Sequence, residues 1–181
     1  PRRLSWLFAI YTRWAGALYA FSMRLPHQLS EHFYLHELTR SQLATRHALP
    51  NQPDQSQIDA LQLLCRKVLE PVRRQVKVPI IPSSGFRCIA LNRLLGSRDT
   101  SSHCRDEAVD FEVMGVANIQ LAHWISDNLD FDQLILEYPQ AENGSGGWLH
   151  VSYKEQGNRV QRLTRRHDGF HTGLPCVPER F

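Results

Sequence analysis

The amino-acid sequence predicts an α+β fold, and three observations carry that expectation. An apolar stripe at helical spacing occupies the first half, from Ile58 to Val76. Three short segments of strand-like alternation follow, over 108–113, 133–138 and 148–153. A single helical segment interrupts them, so helices and strands are segregated rather than alternating as in a parallel doubly wound sheet.

Each element has a local cause. Segment 29–49 carries short helical patterns and closes on the turn Pro50-Asn51-Gln52-Pro53. Asp54 or Ser56 caps the next helix. Its apolar residues Ile58, Leu61, Cys65, Val68, Val72 and Val76 recur at intervals of three and four, which builds one buried face. Pro71 lies inside that run and is expected to kink or end the helix, because it has no N–H and its ring crowds the preceding turn. Val78-Pro79-Ile80-Ile81 reads as a short strand, and Cys88 to Leu95 as a short helix ended by Gly96. Residues 117–128 read as a helix between the first two alternating strands, and 139–147 as a loop before the third. Beyond it, Arg159, Arg162, Arg165 and Arg166 lie in a stretch without strong apolar pattern, read as a solvated basic tail over 156–181.

Composition bounds the function. The 181 residues allow one ordinary domain, and 42% hydrophobic with 22% charged residues excludes disordered, collagenous and coiled-coil classes. A net charge of +3 is too mild for a dedicated nucleic-acid binder. Four cysteines without a Cys-x-x-Cys pair exclude a zinc ribbon or thioredoxin-type motif. Residues 1–28 form an apolar, aromatic leader or extension whose run Arg13 interrupts. It falls short of the roughly 18 apolar residues of a membrane span. A docking helix, a weak signal and sequence upstream of a true start remain alternatives for it.

Nine histidines raise a question that the strands address. Side chains alternate across a strand. Val109, Phe111 and Val113, then Leu134, Leu136 and Tyr138, then Leu149, Val151 and Tyr153 form apolar faces. If these faces share one core, Asp110, Glu112, Glu137 and His150 project from the opposite side of the sheet. His103, in a loop seven residues ahead of Asp110, can converge on the same point. Two imidazoles and a carboxylate with an open fourth position make the catalytic form of a tetrahedral zinc site.

Several ordered motifs then resemble a known family. They are Ser30-Glu31-His32-Phe33, Glu37-Leu38-Thr39-Arg40-Ser41, Ser84-Gly85-Phe86-Arg87, Leu91-Asn92-Arg93, Ser-x-His-x6-Asp over 101–110, Phe131-Asp132-Gln133-Leu134-Ile135 and Trp148-Leu149-His150-Val151-Ser152. Together they resemble the M15 zinc peptidases, and within them the M15A D-alanyl-D-alanine carboxypeptidase-like branch. The resemblance implies a domain over 29–155 with a small antiparallel sheet and helices packed on one side, the Hedgehog/DD-peptidase-like arrangement. It implies one zinc ion held by His103, Asp110 and His150, and hydrolysis of peptide bonds in a peptidoglycan stem peptide or cross-link. Arg87 matches the family arginine that receives a substrate carboxylate, while Ser102 and Trp148 are expected at the substrate. No nucleic acid and no membrane span are expected, and the chain is expected to be a monomer.

Two positions depart from the pattern. Asp106 stands where the histidine motif usually has glycine, and Gly147 stands three residues before the last histidine, where several relatives carry the general base. Glu137 is then the expected base from the strand-face argument, with Glu142 in reserve. The rival expectation is a catalytically inactive wall-binding or virion structural module on the same fold.

Overall fold

Asp54 starts the longest helical unit as the sequence predicts. Its carboxylate accepts from Gln57 N, and the Gln57 side chain accepts from Asp54 N, a reciprocal capping box. The structure, a computed structural model, describes residues 27–105, 107–140 and 146–177. The leader over 1–26, Asp106 and Glu142 therefore lie outside the described residues.

Helices α1 (Leu35–Thr39) and α2 (Gln42–Arg46) precede this unit, which runs as α3 (Gln55–Leu64), a wide turn (Cys65–Leu69) and α4 (Glu70–Val76). Pro71 neither ends nor breaks it. The preceding turn widens instead, with Glu70 N–H donating to the Cys65 carbonyl five residues back. Such a π-type turn absorbs the register error left by a missing proline donor. Within the expected stripe Leu61, Cys65, Val68 and Val72 are fully buried, together with Leu64 and Leu69, while Ile58 and Val76 at its two ends are half-buried. Each large apolar side chain so placed contributes about 1.5–3 kcal/mol from burial. Glu70, at the widened turn, accepts from Ser30 Oγ, His32 N and His32 Nδ1, tying the start of the domain to the helix.

No strand forms over 78–81. Pro79 and Pro82 remove donors there, and Ile80 enters the core while Ile81 stays exposed. Helix α5 (Ile89–Leu94) follows and ends before Gly96 at φ +71°, as expected of a left-handed terminus.

The sheet contains β1 (Ala108–Phe111), β2 (Gln133–Glu137), β3 (Trp148–Ser152), β4 (Gln161–Arg166) and β5 (Gly169–Thr172), in the order β1-β3-β2-β4-β5. Three pairings are antiparallel and β2–β4 is parallel, so the sheet is mostly rather than wholly antiparallel. Helix α6 (Asn118–Asn128) connects β1 to β2. Val109, Val151 and Leu134 align across three strands, as do Phe111, Leu149 and Leu136. This face packs with Leu61, Leu64, Val68, Ile119 and Ile125 in one core.

The basic stretch after 156 is not a solvated tail. It supplies β4 and β5, and its arginines replace the missing apolar residues. Arg162 lies over the Phe131 ring at 5.4 Å while donating to Ser126 Oγ, and Arg159 clamps the buried Asp132. Long arginine stems cover apolar surface while their heads find polar partners, so a strand can form without an apolar pattern.

Candidate metal centre and cleft

The open face of the sheet carries the chemistry. Asp110 pairs with His150 in register, and Glu137 pairs with Trp148 on one side and Arg165 on the other. Period-two alternation therefore brings Asp110, His150, Glu137 and Arg165 to one face. Glu112 does not join them: β1 stops at Phe111, and Glu112 is exposed beside a different groove.

His103 reaches this face from a short turn over Ser102–Arg105. The Ser84-to-Arg87 run holds it there. Asp110 N donates to the Ser84 carbonyl at 2.7 Å, and His103 Nδ1 donates to the Gly85 carbonyl at 2.7 Å. Phe86 N donates to the Leu38 carbonyl, so the backbone passes close to α1, and a Cβ on Gly85 would meet that same carbonyl. Arg87 donates Nη2 to Asp110 Oδ2 at 2.8 Å and Nε to Ser84 Oγ at 2.9 Å. The motif thus positions both a ligand-type histidine and its facing aspartate.

Three atoms converge at the centre. His103 Nε2 lies 3.2 Å from both Asp110 Oδ1 and His150 Nδ1, and His150 Nδ1 lies 2.8 Å from Asp110 Oδ1. A carbonyl only accepts, so His103 Nδ1 carries the proton and Nε2 presents a lone pair inward. Burial lowers the His103 pKa and favours the neutral ring, against the raising effect of Asp110. Burial works to raise the Asp110 carboxyl, yet the neighbouring imidazoles hold it well below the usual carboxylate range. His150 turns its outer Nε2 toward Ser102 Oγ at 3.4 Å. An ionised carboxylate oxygen and an imidazole lone pair facing one point, with a second imidazole beside them, are a donor set that a single cation satisfies. His103, Asp110 and His150 are therefore a fitting metal-binding group.

A cleft of about 860 Å³ opens over this group, and Arg87, Ser102, Glu137 and Trp148 line it with the three residues. All seven site residues expected from sequence thus meet in one place. Trp148 meets Tyr138 in a tilted ring contact, with centroids 5.5 Å apart. Glu137 is buried, and burial first, then the Asp110 charge, raises its pKa. The expected vacancy at position 147 has a steric cause. Gly147 has φ +63°, and a Cβ there would overlap the Glu137 carbonyl oxygen.

Sequence reasoning missed Arg98, Arg105 and Arg165 in the cleft wall. The signal for Arg165 was its alternation with Thr164 in β4, hidden because the arginine-rich segment read as a tail. A second grouping, Glu31, His32 and Glu70, has its buried carboxylate already occupied by three donors, so it serves as a brace.

An α+β fold whose sheet and neighbouring turn present two imidazoles and a carboxylate to one point has a group that could hold a metal ion. Residues 31–152, more than half of the chain, match the Peptidase M15 family, and the chain belongs to that family. No curated protein matches the chain. The family assignment supports peptidase activity, a metal-dependent hydrolysis of a peptide-type substrate. Among the described residues, no helix is long and apolar enough to cross a membrane.

Proposed function

We propose that the protein is a zinc-dependent peptidase that hydrolyses peptide bonds of bacterial peptidoglycan, of the D-Ala–D-Ala carboxypeptidase or endopeptidase type. The observation that carries this reading is the inward convergence of His103 Nε2, His150 Nδ1 and Asp110 Oδ1. Tetrahedral zinc with bonds near 2.0–2.1 Å separates its ligand atoms by roughly 3.3 Å. The separations of 2.8–3.2 Å need to open by only a few tenths of an ångström.

When bound, zinc supplies Lewis acidity that polarises a carbonyl and acidifies water. Glu137 acts as the general base: its carboxylate takes a proton from the attacking water and returns it to the leaving amine. The same carboxyl group can hold the proton between the two transfers. Arg87 uses Nε and one terminal nitrogen on Ser84 and Asp110, and its remaining N–H groups meet a substrate oxygen. Ser102 orients His150 and faces the bound peptide, while Trp148 forms the wall of the cleft.

One observation favours a second reading, an inactive wall-binding or virion structural module: Gly147 has no room for the side chain that serves as base in several relatives. Metal analysis combined with digestion of purified peptidoglycan separates the two. About one equivalent of zinc and a defined muropeptide product, identified by mass, supports the peptidase. Bound zinc without any product supports the module. The mass of the product also identifies the bond cut.

A further inference from the structure

Arg165 is the residue of the cleft whose chemistry the proposed mechanism leaves unused. It lies on β4, across from Glu137, and lines the same cleft as the His103–Asp110–His150 group. Its guanidinium carbon stands 5.4 Å from the Tyr138 ring centroid and 5.0 Å from that of Phe170. Two rings that hold a guanidinium fix its orientation before any ligand arrives, which reduces the ordering cost of binding.

Among the described residues its charge has one ion-pair partner and its donors no hydrogen-bond acceptor. The nearest carboxylate oxygen is Glu137 Oε2, 3.7 Å from Nη1, an ion-pair distance beyond hydrogen-bond length. Among the described residues the Arg165 side chain makes no hydrogen bond, although an arginine fork offers five N–H groups. Among the described residues Arg98, exposed on the wall, also has no side-chain partner, but no ring holds it as Tyr138 and Phe170 hold Arg165. The remaining arginines of the wall are engaged, Arg87 with Asp110 and Ser84, Arg105 with Glu107, and Arg159 with Asp132. The Arg165 side chain is 42% exposed, and Phe170 beside it is 57% exposed, so the fork is open to a ligand.

We propose that Arg165, held between Tyr138 and Phe170, binds a carboxylate of the peptide substrate and makes the enzyme selective for acidic peptides. The choice of peptide rests on the peptidoglycan reading above. A fork with free parallel N–H groups matches both oxygens of a carboxylate, and a carboxamide of the same shape loses the charge-assisted part of the contact.

The test uses the stem peptide N-acetyl-L-Ala-γ-D-Glu-L-Lys-D-Ala-D-Ala in three forms: both carboxylates free, only the glutamate carboxylate amidated, and only the C-terminus amidated. Binding to the zinc-loaded full chain is measured by calorimetry in the cold, and turnover is followed separately. Amidation at one of the two places weakens binding about 10- to 100-fold, and the form whose penalty R165Q removes identifies which carboxylate Arg165 receives. In R165Q that acid-to-amide ratio falls to near one, while R165K keeps part of it. A merely structural arginine would weaken all forms alike and leave the ratio intact. An unchanged ratio in R165Q with an unchanged melting temperature overturns the proposal, as does a wild type that binds the forms equally or not at all. Loss of the ratio in R165Q without any cleavage product upholds the Arg165 site and sinks the peptidase reading. Turnover without discrimination does the reverse.

Discussion

Replacing Gly147 by alanine tests the steric account of the missing base position. Gly147 has φ +63°, a left-handed backbone that costs a side-chain-bearing residue about 1–2 kcal/mol. The added Cβ would overlap the Glu137 carbonyl oxygen and lie 2.8 Å from the Tyr138 carbonyl oxygen. Both obstacles are backbone, and the turn cannot swing away freely, because Asn118 Nδ2 donates to the Gly146 and Gly147 carbonyls at 3.1 and 3.0 Å. Relief of such an overlap by backbone movement costs about 1–3 kcal/mol more. The expected loss is therefore about 2–5 kcal/mol in total. For a chain of this size it lowers the melting temperature by roughly 4–20 °C. Thermal and urea unfolding followed by circular dichroism measure it, with equal zinc content in both proteins. Gly147→Glu, which installs the carboxylate found in several relatives, is expected to lose at least as much stability without gaining turnover. A Gly147→Ala protein that melts within about a degree of wild type, or a Gly147→Glu protein with higher turnover, would refute the reasoning.

Other perturbations have defined outcomes. Glu137→Gln is expected to retain zinc by metal analysis while turnover falls about 10²- to 10⁴-fold. A base must be deprotonated, so wild-type turnover falls with decreasing pH as Glu137 takes up a proton, and Glu137→Gln should remove that limb from the rate–pH profile. Removing the metal with a chelator deprives His103, Asp110 and His150 of the cation they would share. Restoring zinc to about 100 times its dissociation constant is expected to add about 2.7 kcal/mol and roughly 5–11 °C, read by thermal shift, with no such gain in His103→Ala. Asp132→Asn removes the charged partner of Lys154 and Arg159 where β4 begins, at an expected cost of about 1–3 kcal/mol in urea unfolding at neutral pH. Burial would raise the Asp132 carboxyl, but the Arg159 and Lys154 hydrogen bonds outweigh it and lower its pKa to about 2. The stabilisation is then complete above the unfolded value of 3.8 and disappears as pH falls toward 2, so wild type and Asp132→Asn should converge there.

Much of this architecture is written in short stretches of chain. The spacing of Leu61, Cys65, Val68 and Val72 specifies a helix with one buried side, and the capping box at Asp54 specifies where it starts. Pro71 shows the limit of such reading. A proline can end a helix or be absorbed by a widened turn, and the buried side chains around Cys65 and Leu69 favour the second. Proline also explains the strand that did not form over 78–81. The β4 segment was illegible for the opposite reason, since its arginines perform by stem packing and stacking what apolar side chains usually do.

By itself the sequence determined which side of each strand its residues occupy, because alternation of Cβ atoms is a property of the local backbone. On the assumption of a shared core, alternation put Asp110, Glu137 and His150 on one face and nominated His103 as their companion, but it also put Glu112 there, beyond the end of β1. Only the tertiary structure decided which strands are neighbours, that Arg87 is tied to Asp110, that Gly147 faces a carbonyl, and that Arg165 stands beside Glu137. These relations join residues far apart in the chain. They are fixed by pairing register and core packing among several elements at once, and no local periodicity records them.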